Sequence, residues 1–316
     1  MLIAMHMPDH TLSPEVAIGT TIATLAACAW AWRRHRGGTT TVDDSPSTTA
    51  AAPAMMGVVA ALVFAGQMVN FVVPGLGVSG HFLGAAAAAL LLGPWRGAAT
   101  IGLVLVVQCL VFGDGGLTAI GANLWNMAVV GVGSACFVRH WLKDLEGTST
   151  GRLAMAAAAG TVSVVVAAIA CAIELAMSGV QAAVIPLLQY HAMIGAAEGL
   201  LTVAVVGLLE AARESASSRR RLWIGGAFAL VVAAVLSPFA SSLPDGLEAA
   251  LHAAGIVEGV GCYSAPLADY ALPSSWSVND WTAAVIVALT GTLGVFAVAL
   301  LADRRLGALR QRHELT

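Results

Sequence analysis

The chain has 316 residues, 58% hydrophobic and 10% charged, with a mean hydropathy of +0.83; this excludes a water-soluble surface and describes a polytopic membrane protein bathed in lipid. A formal net charge of −3 and a pI near 6.2 argue against nucleic acid as a partner, because no basic face is left to neutralise phosphate. The five cysteines, Cys28, Cys109, Cys136, Cys171 and Cys262, include no CxxC pair, so neither a disulfide framework nor a thiolate metal site is indicated.

Residues 1–14 hold no basic region followed by an apolar stretch and a small-residue cleavage site, so the first apolar helix is expected to stay in the mature chain. A helix needs roughly 20 apolar residues to cross a bilayer core. Such runs predict about nine spanning or nearly spanning helices, over 15–32, 54–73, 81–92, 97–112, 117–138, 153–177, 188–210, 222–239 and 281–302. Only Gly93, Pro94, Trp95 and Arg96 separate the third from the fourth, and proline ends a helix, so that pair is a tight hairpin or a kinked element. The Thr/Ser/Pro/Ala-rich stretch 37–53 reads as a flexible cytoplasmic linker. A polar Ser/Arg-rich joint at 213–221 precedes two last helices that enclose a long loop, 240–280.

The positive-inside rule sets the orientation. With the N-terminus outside and the C-terminus in the cytoplasm, all 15 Lys and Arg fall in inner segments, and Asp9, Asp114, Asp245, Glu248, Glu258, Asp269 and Asp280 fall in outer ones. His6, His10, His81, His191 and His252 then share the outer side, where few cations repel a metal and imidazole is the commonest transition-metal ligand. His35, His140 and His313 lie among inner arginines and read as ordinary interface composition. Gln67, Asn70, Gln108, Asn123 and Asn126 collect in the outer leaflet; an unpaired amide in hydrocarbon costs on the order of several kcal/mol, so together they predict a shared cavity.

The sharpest feature is Met5-His6-Met7-Pro8-Asp9. If the chain begins at Met5, its free amine, the His6 amide nitrogen and the His6 imidazole form fused chelate rings around one ion. That tetragonal nitrogen set suits Ni²⁺ or Cu²⁺ better than Zn²⁺.

Met5-His6 with Pro8-Asp9, Met68-Val69-Asn70-Phe71, Val73-Pro74-Gly75, Ser79-Gly80-His81, Leu83-Gly84 and Leu92-Gly93-Pro94-Trp95 carry a resemblance. Gln108, Phe112-Gly113-Asp114-Gly115-Gly116-Leu117-Thr118, Gly121-Ala122-Asn123, Asn126-Met127-Ala128, His191-Ala192-Met193-Ile194-Gly195 and Glu198-Gly199 continue it. Together they resemble the CbiM/NikM family, the substrate-binding membrane components of cobalt and nickel energy-coupling factor transporters. The resemblance implies a metal-binding membrane domain over 5–212. Pro244-Asp245-Gly246-Leu247-Glu248 resembles the PDGLE module of the NikN-type partner, fused in NikMN proteins, and implies a two-helix module over 222–303 that assists metal loading. The fusion is more like nickel systems than cobalt ones.

What the resemblance implies is a non-enzymatic capture subunit in the cell membrane. It would take Ni²⁺, or Co²⁺, as transported substrate on the outer face, without an organic cofactor, and work with a transmembrane coupling protein and a pair of ABC-type ATPases. It implies metal ligation by the Met5 amine, by the amide and side chain of His6, and by His81, with Asn70, Ser79, Asn123, Asn126 and His191 as surrounding groups that orient them. The sequence starts four residues before Met5; Met5 is expected to be the true start, since a chain beginning at Met1 has no amine beside His6.

Gly77-Val78-Ser79-Gly80 also matches the GxSG of rhomboid intramembrane proteases, which leaves a Ser79/His191 dyad as the alternative. Shaping the His81 loop is the better expectation for Ser79. Glu198, seven residues after His191 on roughly the same helix face, is expected to hold the bundle by hydrogen bonding rather than to meet the metal, and Glu174 to be interfacial. No P-loop is present, so energy must come from partners.

Overall fold

The computed structural model describes residues 6–36, 52–215, 218–256, 261–273 and 276–314. Met5, Glu258 and linker positions 37–51 lie outside the described residues.

Helices α1 (Pro14–Arg36) and α2 (Ala52–Gln67) precede a small hairpin of β1 (Phe71–Val73) and β2 (Val78–Gly80), with Phe71 opposite Gly80 and Val73 opposite Val78. The second predicted helix therefore ends at Gln67 rather than at 73. Pro74 withholds an amide and Gly75 turns the chain at a φ of 78°, so the β-branched residues around them pair as strands.

The third and fourth predicted helices form one element, α3 (Ala85–Val107), extended by a π turn over Gln108–Phe112 and broken at Gly93 with φ 79° and ψ 177°. A Cβ placed on Gly97 would stand 3.0 Å from the Ala88 carbonyl carbon. Nine residues of straight helix would separate these positions by about 13 Å. The element is thus a hairpin, its first arm beginning at Ala85, with 81–84 as irregular backbone.

Helix α4 (Ile120–Asn123), a π segment (Leu124–Gly131) and α5 (Val132–Trp141) run on as one rod, followed by α6 (Ser149–Met177), α7 (Val184–Ser215) and α8 (Ser218–Val231). A short α9 (Gly246–Ala253) lies within the predicted outer loop, and α10 (Asp280–Glu314) closes the bundle. Among the described residues seven helices are long and apolar enough to cross a membrane, and Met55–Gln67 is a shorter apolar one. Apart from the small β-hairpin, the described residues are largely helical, and the chain is a multi-pass membrane protein.

Small residues draw the helices together. Phe296 of α10 covers Gly57 of α2, and Phe64 of α2 covers Gly291 of α10; Val287, Val295 and Ala299 join the main core there. The last helix is thereby built into the bundle rather than appended beside it. At the end remote from His6, Arg96 grips Asp303 of α10 (Nε to Oδ1 3.0 Å), and Arg139 pairs with Glu146 and Arg152 with Glu210.

Candidate metal centre

The N-terminal segment is threaded into the bundle as a buried strand of irregular backbone. Asn123 clamps Met7 at both backbone groups, accepting from its N–H at 2.9 Å and donating to its carbonyl at 3.1 Å, while the Gly116 N–H donates to the same carbonyl at 2.9 Å. No side chain fits beneath this strand. A Cβ on Gly115 would lie 2.9 Å from the His6 Cβ, and one on Gly116 would collide with the Asp9 backbone. Asp9 completes the hold, accepting from the Thr118 N–H at 2.7 Å and from the Cys262 N–H at 2.9 Å.

His6 is thereby brought 97% out of solvent, with its ring 6.1 Å from that of His81. His6 Nδ1 meets Asp114 Oδ1 at 2.9 Å, and the Tyr270 hydroxyl donates to the other carboxylate oxygen at 2.6 Å. Burial works against the imidazolium of His6, and the adjoining Asp114 carboxylate outweighs it, so the pKa is raised. Asp114 is itself held below the usual carboxylate range, although buried, by His6 and by the hydrogen bonds from His6 and Tyr270. His81 is different. Burial, and then the charge of His6, push it down to about 4, leaving a neutral imidazole. Its Nε2 stands 4.0 Å from Asp245 Oδ2. His6 Nε2 and His81 Nδ1 are buried nitrogens without a hydrogen-bond partner.

These rings open on a cavity of about 80 Å³, lined also by Asn123, Asn126, Cys171, His191 and Asp245, with room for an ion and several waters. Of the five outer histidines, His6, His81 and His191 line it; His10 and His252 do not. Of the five amides, Asn123 and Asn126 line it, whereas Gln67, Asn70 and Gln108 are not among its described lining residues. Gln67 Nε2 instead donates to the Leu83 carbonyl at 3.1 Å, and the Asn70 backbone carbonyl accepts from the Ser241 N–H at 2.8 Å. Glu174 is not interfacial but buried, accepting from Asn126 Nδ2 at 2.7 Å.

The Ser79/His191 dyad is not formed. Ser79 Oγ donates to the Leu243 carbonyl at 2.8 Å, and His191 Nδ1 is bonded to the Leu187 carbonyl at 2.8 Å. What Ser79 does instead is fasten the PDGLE segment: its N–H donates to the Pro244 carbonyl at 2.8 Å, and Ser79 and Asp245 form a parallel bridge. Asp245 Oδ1 caps α9 through the Leu247 and Glu248 amides, and burial pushes this carboxyl up to about 7. Asp245 and Tyr270 escaped the sequence reading as site residues; the PDGLE motif itself was the available signal for Asp245.

Residues 6–216 match the family described as the cobalt uptake substrate-specific transmembrane region, CbiM. The chain belongs to the CbiM family. Residues 219–306 match the PDGLE domain. A protein of Archaeoglobus fulgidus with the provisional name fused nickel transport protein NikMN is 33% identical over 312 residues, 95% of this chain and 98% of its own. The fused nickel transport protein NikMN of Rhodobacter capsulatus is 32% identical over 251 residues, 70% of this chain and 69% of its own. Both are named as transport proteins, in keeping with a CbiM-family chain that is no enzyme. A crystal structure of a truncated transition metal transporter superposes with a TM-score of 0.54 at 27% identity, covering 67% of this chain and 100% of that one.

Proposed function

We propose that this chain is the substrate-capture component of an energy-coupling factor importer, taking Ni²⁺ as its transported substrate at the outer face through the His6/His81 cavity. One observation carries the reading: two buried imidazoles from distant parts of the chain, each with a partnerless ring nitrogen, face one cavity. A buried polar atom without a partner costs about 1–3 kcal/mol, and an ion ligated at His81 Nδ1 would relieve the one on that ring.

Among the described residues no cluster of three His, Cys, Asp or Glu side chains is placed to hold a metal. That fits a site completed by main-chain nitrogens, the Met5 amine and the His6 amide. A chelate that includes the His6 amide closes through Nδ1, the nitrogen that faces Asp114 in this structure. Capture therefore requires the ring to exchange that contact for the ion. The two membrane regions matched by the CbiM and PDGLE families act in this reading as one unit, the second supplying Asp245 and Tyr270 to the first. A coupling protein and ABC-type ATPases would supply the energy.

The test is metal content. The chain starting at Met5 is purified with and without His6→Ala and His81→Ala, and Ni and Co per protein are measured by inductively coupled plasma mass spectrometry. Near-stoichiometric nickel lost in both variants supports the site; full retention in both refutes it. N-terminal sequencing that finds Met1 or Leu2 on functional protein would refute the role of Met5.

A further inference from the structure

We propose that Glu198 is the positioning residue for His81, a deepening of the reading above and dependent on it. Residues 81–84 are irregular backbone inside the bundle, between β2 and α3, with Phe82 and Leu83 buried. Within a bilayer such backbone persists only where its polar groups find partners inside the protein. Glu198, in α7 and fully buried, supplies them. Its Oε2 accepts from the Leu83 N–H and its Oε1 from the Gly84 N–H, each at 2.8 Å.

The other side of the same peptide is held by Gln67, which donates to the Leu83 carbonyl. Phe82 wedges against Gly66 of α2, where a Cβ would lie 2.8 Å from its ring. The segment directly after His81 is thus fixed from α7 and from α2. A carboxylate can accept at both oxygens; a carboxamide of the same shape must turn an NH₂ toward one of the two amides, so two donors oppose each other and the loop has to shift. A residue kept only to stabilise the fold should respond differently: its replacement should lower the melting temperature and leave the metal affinity of the folded protein unchanged.

The same α7 places His191 in the cavity wall, seven residues before Glu198 on roughly the same helix face. One helix therefore shapes the cavity and holds the loop that brings His81 to it. Outer groups that orient metal ligands commonly change affinity by roughly 10–100-fold when removed.

The experiment uses the purified full chain and Ni²⁺ in competition with a chromophoric chelator. It adds the ligand-field absorption of the bound ion and thermal unfolding, for wild type, Glu198→Gln, Glu198→Asp, His6→Ala and His81→Ala. The expected result is a Glu198→Gln variant that folds but binds about 10–100-fold more weakly and shows an altered ligand-field spectrum, with Glu198→Asp between it and wild type. Wild-type affinity and spectrum in folded Glu198→Gln overturn the proposal. Should Glu198→Gln fail to fold, Glu198→Asp decides: weakened binding supports the role, and unchanged binding overturns it. Full binding by His6→Ala and His81→Ala would instead sink the site itself, a separate result.

Discussion

His6 Nδ1 lies 2.9 Å from Asp114 Oδ1, a contact between the start of the chain and a loop 108 residues later. In the proposed reading it makes His6 the imidazole that has to give up a proton to an incoming ion, because Asp114 raises its pKa above 6.5 while His81 is neutral down to about 4. Affinity should fall as pH is lowered through the raised His6 value, about tenfold per unit for that proton. Asp114→Asn leaves burial as the main influence and pushes His6 below 6.5, moving the fall to lower pH. The Met5 amine and the His6 amide contribute equally to both proteins, so the difference isolates His6. Dissociation constants measured from pH 5 to 8 that coincide for wild type and variant would contradict this.

Gly116→Ala should abolish metal retention without unfolding the bundle. The new Cβ meets the Asp9 backbone rather than a yielding side-chain tip, so the N-terminal strand must leave its channel. The check is bound nickel beside helical circular dichroism: loss of the first with the second preserved is expected, and retained nickel would show that the strand has another way in.

Asn123→Ala removes both hydrogen bonds to Met7. The Met7 carbonyl keeps its bond from the Gly116 N–H, but leaving the buried Met7 N–H without a partner costs about 1–3 kcal/mol, which corresponds to roughly 5–150-fold in affinity if the strand is seated only in the bound state. Limited proteolysis should cut the segment 6–13 faster in the variant, and nickel should slow the cut.

At the far end, Arg96 and Asp303 join the hairpin of α3 to α10, with the Asp303 side chain 4% exposed. Arg96 is partly exposed, but removing it strands the buried Asp303 carboxylate, which is more harmful than removing both partners. Arg96→Ala should therefore lower the unfolding temperature in detergent more than the double variant Arg96→Ala/Asp303→Ala. Additive losses in a double-mutant cycle would show that the pair carries no coupling.

The site was legible in part. His6, His81, Asn123 and Asn126 stood in motifs, and the orientation rule put them on one side. Contacts such as Tyr270 with Asp114, 156 residues apart, leave no trace in spacing, and Asp114, although within a motif, reads in the sequence as an outer acid with no role beside His6. The β-hairpin was hidden because Phe71-Val72-Val73 is as apolar as the helix before it, so hydropathy carried the helix too far. Glu198 is expected from the sequence to hold the bundle by hydrogen bonding to a neighbouring helix; its partners are backbone amides of the 81–84 segment, and a backbone donor has no signature in sequence.

Asp9 binds Thr118 through one carboxylate oxygen and the Cys262 amide through the other, which sets an order on biogenesis. Its carboxylate cannot be shared until the ribosome has passed residue 262, so the start of the chain waits through most of synthesis before it is fully fastened. Helices α1 to α7 can insert and pack beforehand, yet the N-terminal strand stays incompletely tethered until the PDGLE region arrives. The first residues made are among the last to be locked, and a truncated translation product would carry an open pocket.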